Sequence, residues 1–282
     1  MKQLLKSPAK LNIFLKVLSK RPDGYHNILS IADIISIYDL IYMEETKGGI
    51  EISDSKGWLP KGEENTIYRA VMRLRDRFHI KRGIKIYVEK NIPIGSGLGG
   101  PSSNAAIVLK GLAELWGLSL TEDELAAIGR GIGADVPLFI HNRSSVMEGI
   151  GDRLSPVRLP DMWYLILYPD VILRSKDIYE GLKIVLTKGE NDIKLKTQFL
   201  SAIDVAEILE NDLERVAISI CPKIRLLKER LADAGAIGVL MSGSGSSVFG
   251  IFEDEDGARM ASYLFKDIAG RFIARNLTEK RG

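Results

Sequence analysis

Glycine, serine and proline crowd into one short stretch of the sequence, NIPIGSGLGGPSSNAAIVL at residues 91–109, directly ahead of an apolar run. Glycine has no Cβ, so backbone N–H groups can approach a phosphate closely, and a helix start adds partial positive charge. The hydroxyls of Ser102 and Ser103 would add donors, and the same oxygens could hold Mg²⁺. We interpret the stretch as a polyphosphate-binding loop, with a plain glycine-rich turn as the alternative. The expected loop residues are Pro93, Ile94, Gly95, Ser96, Gly97, Leu98, Gly99, Gly100, Pro101, Ser102 and Ser103.

Three known phosphate loops can be compared with this stretch. A Walker A loop needs a lysine directly after its last glycine, and no glycine in the chain is followed by lysine. The dinucleotide pattern G-x-G-x-x-G does occur, at Gly95, Gly97 and Gly100. However, Pro93 interrupts the preceding strand, and no acidic residue ends a strand about 20 positions later. The HRD and DFG tripeptides of protein kinases are absent from the sequence.

The surrounding sequence predicts a mixed α+β chain that holds the loop between a strand and a helix. Thr121 and Glu124 stand at capping-box spacing, and the helix that they open would end at Gly131 or Gly133. Helical spacing of apolar residues predicts helices at 66–78, 105–116, several places between 178 and 234, and 257–267. Alternating apolar residues predict strands in KLNIFLKVL, ILSIADIISIYDLIYMEE (one or two strands), GIEISD, GIKIYVEKNIP, WYLILYP, both arms of IGVLMSGSGSSVFGIFED, and RFIARN.

Length and composition indicate about two domains in a reduced compartment. The chain has 282 residues, and we place the boundary near SPVRLP, giving domains 1–155, with the glycine loop, and 156–282. A net charge of +2 argues against a dedicated nucleic-acid binder. No stretch has the ~18 uninterrupted apolar residues of a membrane helix. The single cysteine, Cys221, excludes an internal disulfide and favours a cytoplasmic location.

Four segments carry a family resemblance: SPAKLNIFLKV, the glycine loop, GADVPLF and GSGSSVFG. Their types and order resemble the GHMP kinases, which phosphorylate small molecules. The resemblance implies an α+β, two-domain GHMP kinase fold, with a ribosomal-protein S5-like N-terminal domain and a ferredoxin-like C-terminal domain. The active site would lie in the cleft between them, and the glycine loop would bind ATP with Mg²⁺. The resemblance extends over about residues 7–250, and it is weak between residues 184 and 240.

Within the family, PAKLNIFLKVLSKRPDGYH and SGLGGPSSNAA are most similar to one branch. That branch phosphorylates the 2-hydroxyl of 4-diphosphocytidyl-2-C-methyl-D-erythritol in non-mevalonate isoprenoid synthesis. By this resemblance, Asp135 in GADVP would be the general base or would orient the hydroxyl. Lys10 in PAKLN would keep that aspartate ionised and favour loss of the alcohol proton. Taken alone, Asp135 is equally consistent with a helix cap, and Lys10 with a solvated strand lysine.

The same resemblance implies the substrate-binding and nucleotide-binding residues. Cytidine would be recognised by aromatic stacking and hydrogen bonds, with Tyr25 and Tyr179 as the two stacking rings. The substrate set is Asn12, Tyr25, His26, Tyr179, Gly243 and Gly245, and the residues near adenine are Asn65 and Lys90. Simpler alternatives remain for several of them, such as a helix cap at Asn65 and a plain hairpin turn at Gly243.

Two features of the sequence depart from the family pattern. Pro101 stands where the family loop usually has another glycine, and Arg174 with Ser175 replaces the usual approach to the aromatic Tyr179. Arg174 would contact either the substrate diphosphate or solvent.

Alternative functions are a homoserine or mevalonate type of kinase, which the DGYH motif disfavours, and a non-catalytic ligand sensor. We expect a monomer or homodimer that binds neither nucleic acid nor a membrane.

Overall fold

A computed structural model describes residues 2–182 and 195–277 of the chain, which fall into two compact units. Unit 1 comprises Met1–Ala9, Ile37–Ile94 and Gly99–Asn142. Unit 2 comprises Lys10–Ser36, Gly95–Leu98 and Arg143–Gly282. The strands β1 (Lys2–Lys20) and β2 (His26–Thr46) each contribute residues to both units.

Unit 1 combines strands with helices on an apolar core. In β4, Ile84, Ile86 and Val88 are buried while Lys85 and Tyr87 are exposed, which is the alternation of a half-buried strand. This strand pairs antiparallel with β2 and parallel with β3. The elements are β3 (Ile50–Asp54), a 3₁₀ helix (Gly62–Glu64), α1 (Thr66–Phe78), β4 (Gly83–Glu89), α2 (Gly100–Leu115), α3 (Glu122–Arg130) and α4 (Val136–His141).

Unit 2 contains a four-stranded antiparallel sheet in the order β11-β7-β10-β9. Amphipathic helices pack on this sheet. One of them, α8, buries the side chains of Ile224, Leu227 and Leu231 in the core of the unit. In the same unit, β2 pairs with β5, β5 with β6, and β1 with β8. The elements are β5 (Ser145–Gly149), β6 (Arg153–Pro156), β7 (Trp163–Tyr168), α5 (Ser175–Glu180), α6 (Ala202–Ala206), β8 (Glu210–Asn211), α7 (Glu214–Ile220), α8 (Lys223–Asp233), β9 (Gly238–Met241), β10 (Val248–Phe252), α9 (Glu255–Ser262), a 3₁₀ helix (Tyr263–Phe265) and β11 (Gly270–Arg275).

Most predicted elements are confirmed, and the corrections concern their ends. The capping box is present, because Glu124 N donates to Thr121 Oγ1 at 3.2 Å and Thr121 N donates to Glu124 Oε2 at 2.8 Å. The helix predicted at 105–116 begins instead at Gly100, five residues earlier. The predicted one or two strands after DGYH are a single strand of 21 residues. The predicted last helix, 257–267, starts at Glu255 and tightens into a 3₁₀ turn after Ser262.

A buried carboxylate connects two strands of unit 2. Asp33 on β2 is fully buried, and its two oxygens accept hydrogen bonds from Ser144 Oγ at 2.5 Å and Tyr164 OH at 2.6 Å. Burial raises the pKa of Asp33 to about 6, although these two hydrogen bonds oppose the rise. The pH dependence of stability should therefore report on this site.

Candidate active site

The glycine loop adopts backbone angles that favour glycine at every second position. Gly95, Gly97 and Gly99 have φ values of +58°, +79° and +76°, all in the left-handed region. At Gly97 a Cβ would lie 2.1 Å from the carbonyl oxygen of Ser242, so no other residue fits without displacing the backbone. The sequence therefore has glycine here for two reasons, the backbone angle and the close approach.

The loop runs directly into α2, which explains the proline at the start of this helix. Gly99 is the N-cap, so Pro101 and Ser102 lie in the first turn, where backbone N–H groups have no partner within the helix. Proline at that point loses no helical hydrogen bond. The departure at Pro101 thus removes one amide donor without distorting the helix. Thr66 Oγ1, at the start of α1, donates to the carbonyl oxygen of Pro101 at 2.7 Å.

The two loop serines have different surroundings. Ser103 is fully buried, and its hydroxyl lies 2.7 Å from the hydroxyl of Ser7 on β1. Ser102 is half-buried, and a Cβ added at Gly133 would lie 3.4 Å from its Oγ. The GADVP segment therefore packs beside Ser102 in unit 1. Of the two hydroxyls, that of Ser102 is the better placed to meet a ligand.

Asp135 immediately precedes α4 in unit 1. It is the N-cap residue by position, yet its side chain makes no capping hydrogen bond to the helix. The helix-cap interpretation therefore lacks the interaction that defines a side-chain cap. Asp135 is half-buried.

The two residues predicted near adenine already make hydrogen bonds within unit 1. Asn65 caps α1, because its Oδ1 accepts from Ile67 N at 2.9 Å, and its Nδ2 donates to the carbonyl oxygen of Pro60 at 3.0 Å. Lys90 is buried, and its ammonium donates to Asp39 and, at 3.1 Å, to Asn104 Oδ1. The capping alternative for Asn65 is thus confirmed, while contact of either residue with the nucleotide stays a prediction.

In unit 2, Lys10 lies beside two of the predicted substrate residues. Lys10 is 5% exposed, and its ammonium donates to Asn12 Oδ1. Asn12 Nδ2 in turn donates to Ser30 Oγ at 2.8 Å, which fixes the orientation of the amide. A Cβ at Gly243 would lie 3.0 Å from Asn12 Oδ1 and 3.3 Å from Lys10 Nζ. Lys10 is therefore a buried lysine in a polar cluster, and the alternative of a solvated strand lysine is wrong.

The second glycine turn is held against the first one in unit 2. It joins β9 to β10, as the hairpin alternative requires, with positive φ at Gly243 and Gly245. Ser242 Oγ donates to the carbonyl oxygen of Gly97 at 3.0 Å, and Ser247 N donates to that of Ser96 at 3.0 Å. These bonds fix the backbone of Gly95–Leu98, so the hairpin has a positioning role as well.

The aromatic residues predicted to bind cytosine are arranged differently from the expected pair. The Tyr179 ring stacks on His26, with ring centroids 5.1 Å apart and planes inclined by 26°. Tyr25 is 59% exposed and lies in the turn closed by the hydrogen bond from Arg21 N to the Tyr25 carbonyl oxygen. Burial, with a smaller contribution from Lys20, lowers the pKa of His26, so the imidazole is neutral near pH 7.

Sequence reasoning missed several residues that position these groups. Asp39, Ser7 and Ser242 were not singled out, although all three are buried and hydrogen-bonded next to predicted site residues. The available signal for Asp39 was a carboxylate inside the apolar run ISIYDLIYM. Directly after Arg174, Ser175 Oγ lies 2.8 Å from Ser244 Oγ of the second glycine turn.

Within residues 2–182 and 195–277, no three His, Cys, Asp or Glu side chains are grouped so as to hold a metal ion. Over the same residues, no helix has the length and apolar character required to cross a bilayer.

The sequence matches two family domains, "GHMP kinases N terminal domain" at residues 65–143 and "GHMP kinases C terminal" at residues 199–267. Two relatives are named 4-diphosphocytidyl-2-C-methyl-D-erythritol kinase. The one from Syntrophotalea carbinolica is 42% identical over 91% of this chain and 91% of its own. The one from Geobacter sulfurreducens is 43% identical over 94% of this chain and 96% of its own.

Solved structures agree with these sequence matches. A crystal structure of 4-(cytidine 5'-diphospho)-2C-methyl-D-erythritol kinase is similar with a TM-score of 0.80 and 30% identity, covering 99% of this chain and 100% of that one. Homoserine kinase from Cytophaga hutchinsonii is similar at 19% identity, with a TM-score of 0.70 and coverage of 100% and 96%. The second likeness concerns the fold alone.

Proposed function

The chain belongs to the GHMP kinases, and on that premise we infer that it is an ATP-dependent kinase of 4-diphosphocytidyl-2-C-methyl-D-erythritol. It transfers the γ-phosphate of ATP to the 2-hydroxyl of the erythritol unit, in non-mevalonate isoprenoid precursor synthesis. The observation that carries this conclusion is the identity of 42–43% to enzymes of that name over more than nine tenths of the chain.

Asp135 and Lys10 are the proposed catalytic residues. Asp135 accepts the proton of the 2-hydroxyl as that oxygen bonds to the γ-phosphorus and the bond to ADP breaks. Lys10 keeps the Asp135 carboxylate ionised and favours loss of the alcohol proton. Two observations support this assignment: the hydrogen bond to Asn12 holds the Lys10 ammonium in place, and Asp135 is half-buried directly before α4.

The ATP triphosphate is proposed to lie along the glycine loop and the first turn of α2. Backbone N–H groups of the loop and the positive end of the helix would donate to phosphate oxygens. The fit is supported by the left-handed glycines, which carry no side chain of their own, and by the half-buried position of Ser102. Mg²⁺ arriving with the nucleotide would neutralise phosphate charge, and Ser102 is the loop residue suited to be its ligand.

The cytidine base is proposed to bind at the aromatic residues of unit 2. Tyr179 presents a ring already supported by His26, and Tyr25 lies exposed next to His26 in the chain. A neutral His26 can both donate and accept a hydrogen bond, as recognition of a cytosine edge requires. Asn12, Gly243 and Gly245 would then line the path of the substrate diphosphate and erythritol.

The cellular setting is part of the proposal. We propose a cytoplasmic enzyme that works as a monomer or homodimer and needs neither nucleic acid nor a membrane. A net charge of +2 and a single, buried cysteine support this setting.

An ADP-release assay with several acceptor alcohols tests the function. The purified protein with Mg²⁺ and ATP is offered the cytidylated methylerythritol, homoserine or mevalonate, each against a blank without acceptor. We expect ADP release well above the blank only with the cytidylated substrate. Equal or faster release with homoserine or mevalonate would contradict the proposed specificity.

A further inference from the structure

A buried carboxylate of unit 1 is hydrogen-bonded to the chain on both sides of the glycine loop. Asp39 is 0% exposed and is located on β2. Its Oδ1 accepts hydrogen bonds from the backbone N of Asn91 at 2.8 Å and of Ile92 at 2.9 Å. Its Oδ2 accepts from Asn104 Nδ2 at 2.9 Å and from the Lys90 ammonium. Two oxygens with four donors leave this carboxylate fully satisfied.

The donors to Asp39 come from both ends of the loop. Asn91 and Ile92 directly precede it, and Asn104 directly follows it in the first turns of α2. Asn104 Nδ2 also donates to Ser7 Oγ at 2.9 Å, and that hydroxyl lies 2.7 Å from Ser103 Oγ. The eleven residues at 93–103 therefore lie between two chain segments that are both hydrogen-bonded to the side chain of Asp39.

The charge on Asp39 matters because an amide could not replace it. Asparagine at this position would retain an acceptor for the two backbone N–H groups, yet its NH₂ would face Lys90 and Asn104, which are both donors. The Lys90 ammonium, with 1% of its side chain exposed, would also lose its counter-ion. A buried ion pair of this kind fixes geometry, since each oxygen has one arrangement that satisfies its donors.

We propose that Asp39 is a positioning residue for ATP, fixing the span of the glycine loop so that its backbone N–H groups match the triphosphate. This inference rests on the proposed function, because it assigns the loop to the nucleotide. In it, Lys90 acts as the partner of Asp39 and affects the nucleotide through the loop backbone. Preorganising a binding loop raises affinity by removing the entropy loss of ordering it on binding.

Kinetics of three variants test the proposal. Asp39→Asn breaks the network, whereas Asp39→Asn with Asn104→Asp exchanges the amide and the carboxylate, so that the new NH₂ meets an acceptor at residue 104 and Lys90, which also bonds residue 104, keeps a carboxylate partner. Asp33→Asn is the matched control, since it alters an equally buried, doubly hydrogen-bonded aspartate in unit 2.

We expect Asp39→Asn to raise KM for ATP about tenfold, equivalent to about 1.4 kcal/mol, with kcat and KM for the alcohol changed less than about threefold. The exchanged double variant should recover most of the loss, and Asp33→Asn should leave KM for ATP unchanged.

Hydrogen exchange measured by mass spectrometry gives a readout independent of turnover. In the protein without nucleotide, peptides covering residues 91–104 should exchange faster in Asp39→Asn than in the wild type, and return towards wild type in the double variant. If Asp39→Asn does not accumulate as folded protein, Asn104→Ala replaces it, because it frees the loop exit and leaves Asp39 paired with Lys90. That variant should show the same selective rise in KM for ATP.

Two results would overturn the proposal: a wild-type KM for ATP in the Asp39 and Asn104 variants, or an equal rise in Asp33→Asn. Failure of the proposed function is a different result. In that case the wild-type protein itself would not phosphorylate the cytidylated alcohol, whatever the exchange rates of the loop.

Discussion

The close approach of the two glycine turns predicts a large effect of a single methyl group at Gly97. Alanine there would place its Cβ 2.1 Å from the Ser242 carbonyl oxygen, and real contacts of this kind are not shorter than 3.0 Å. The backbone must therefore move by at least 0.9 Å, the difference between these two distances. Gly49 is a matched control, because it has the same φ of +79° with no atom within 4 Å of an added Cβ.

The two alanine variants separate the cost of the backbone angle from that of the contact. A left-handed alanine costs about 1–2 kcal/mol, and we expect that loss of unfolding free energy in Gly49→Ala with unchanged kinetics. Gly97→Ala should lose at least as much stability. It should also lower kcat/KM by at least about tenfold, since misplacing reacting groups by about 1 Å can cost a hundredfold.

Steady-state kinetics together with urea unfolding would check this prediction. Both variants are measured at saturating cytidylated alcohol with ATP varied, and their unfolding free energies are compared with that of the wild type. If Gly97→Ala matched Gly49→Ala in stability and in kcat/KM, the close approach to Ser242 would affect neither stability nor activity, and the reasoning would be refuted.

Three further predictions concern the catalytic base, the cytidine site and the buried aspartate of unit 2. Asp135→Asn should lower kcat by orders of magnitude with nearly unchanged ATP affinity, as measured by calorimetry and single-turnover kinetics; full turnover would exclude Asp135 as the base. Tyr179→Ala should raise KM for the cytidylated alcohol and not for ATP, and an equal rise in both would argue against base stacking. Because the pKa of Asp33 is raised from 3.8 to about 6 in the folded state, its protonated form favours folding. The stability of the wild type relative to Asp33→Asn should therefore be largest below pH 3.8 and decrease by on the order of 3 kcal/mol as the pH rises to about 6, in urea titrations; a constant difference would contradict the pKa shift.

The sequence predicted the elements well wherever one face of them is buried. The helix at 66–78 was correct at both ends, because Asn65 supplies a side-chain cap and Ile67, Val71 and Leu74 repeat at helical spacing. The fold class followed from the family resemblance and is confirmed by the two matched family domains. The division at residues 155 and 156 stays a prediction.

The start of α2 could not be predicted from residue preferences. Gly100 and Pro101 are poor helix residues in general, and they were assigned to the loop. Proline is compatible with the first turn of a helix, and Gly99 supplies a left-handed N-cap that side-chain patterns do not reveal. Long-range hydrogen bonds, here from Thr66 to the Pro101 carbonyl oxygen, support this early start.

Candidate site residues were predictable to different degrees. Motif residues such as Lys10 and Asn12 could be named from the sequence, and the structure brings both beside Gly243. The residues that hold the glycine loop could not, because Asp39 and Ser242 act through backbone groups distant in sequence. Hydrogen bonds of that kind depend on the fold and leave no local pattern.

Direct identification of the product tests the central claim most directly. The protein is incubated with ATP, Mg²⁺ and 4-diphosphocytidyl-2-C-methyl-D-erythritol, and the mixture is followed by phosphorus NMR. We predict ADP and, in equal amount, a new phosphomonoester on the 2-oxygen of the erythritol unit. ATP hydrolysis without that ester, or a phosphate on another oxygen, would contradict the account.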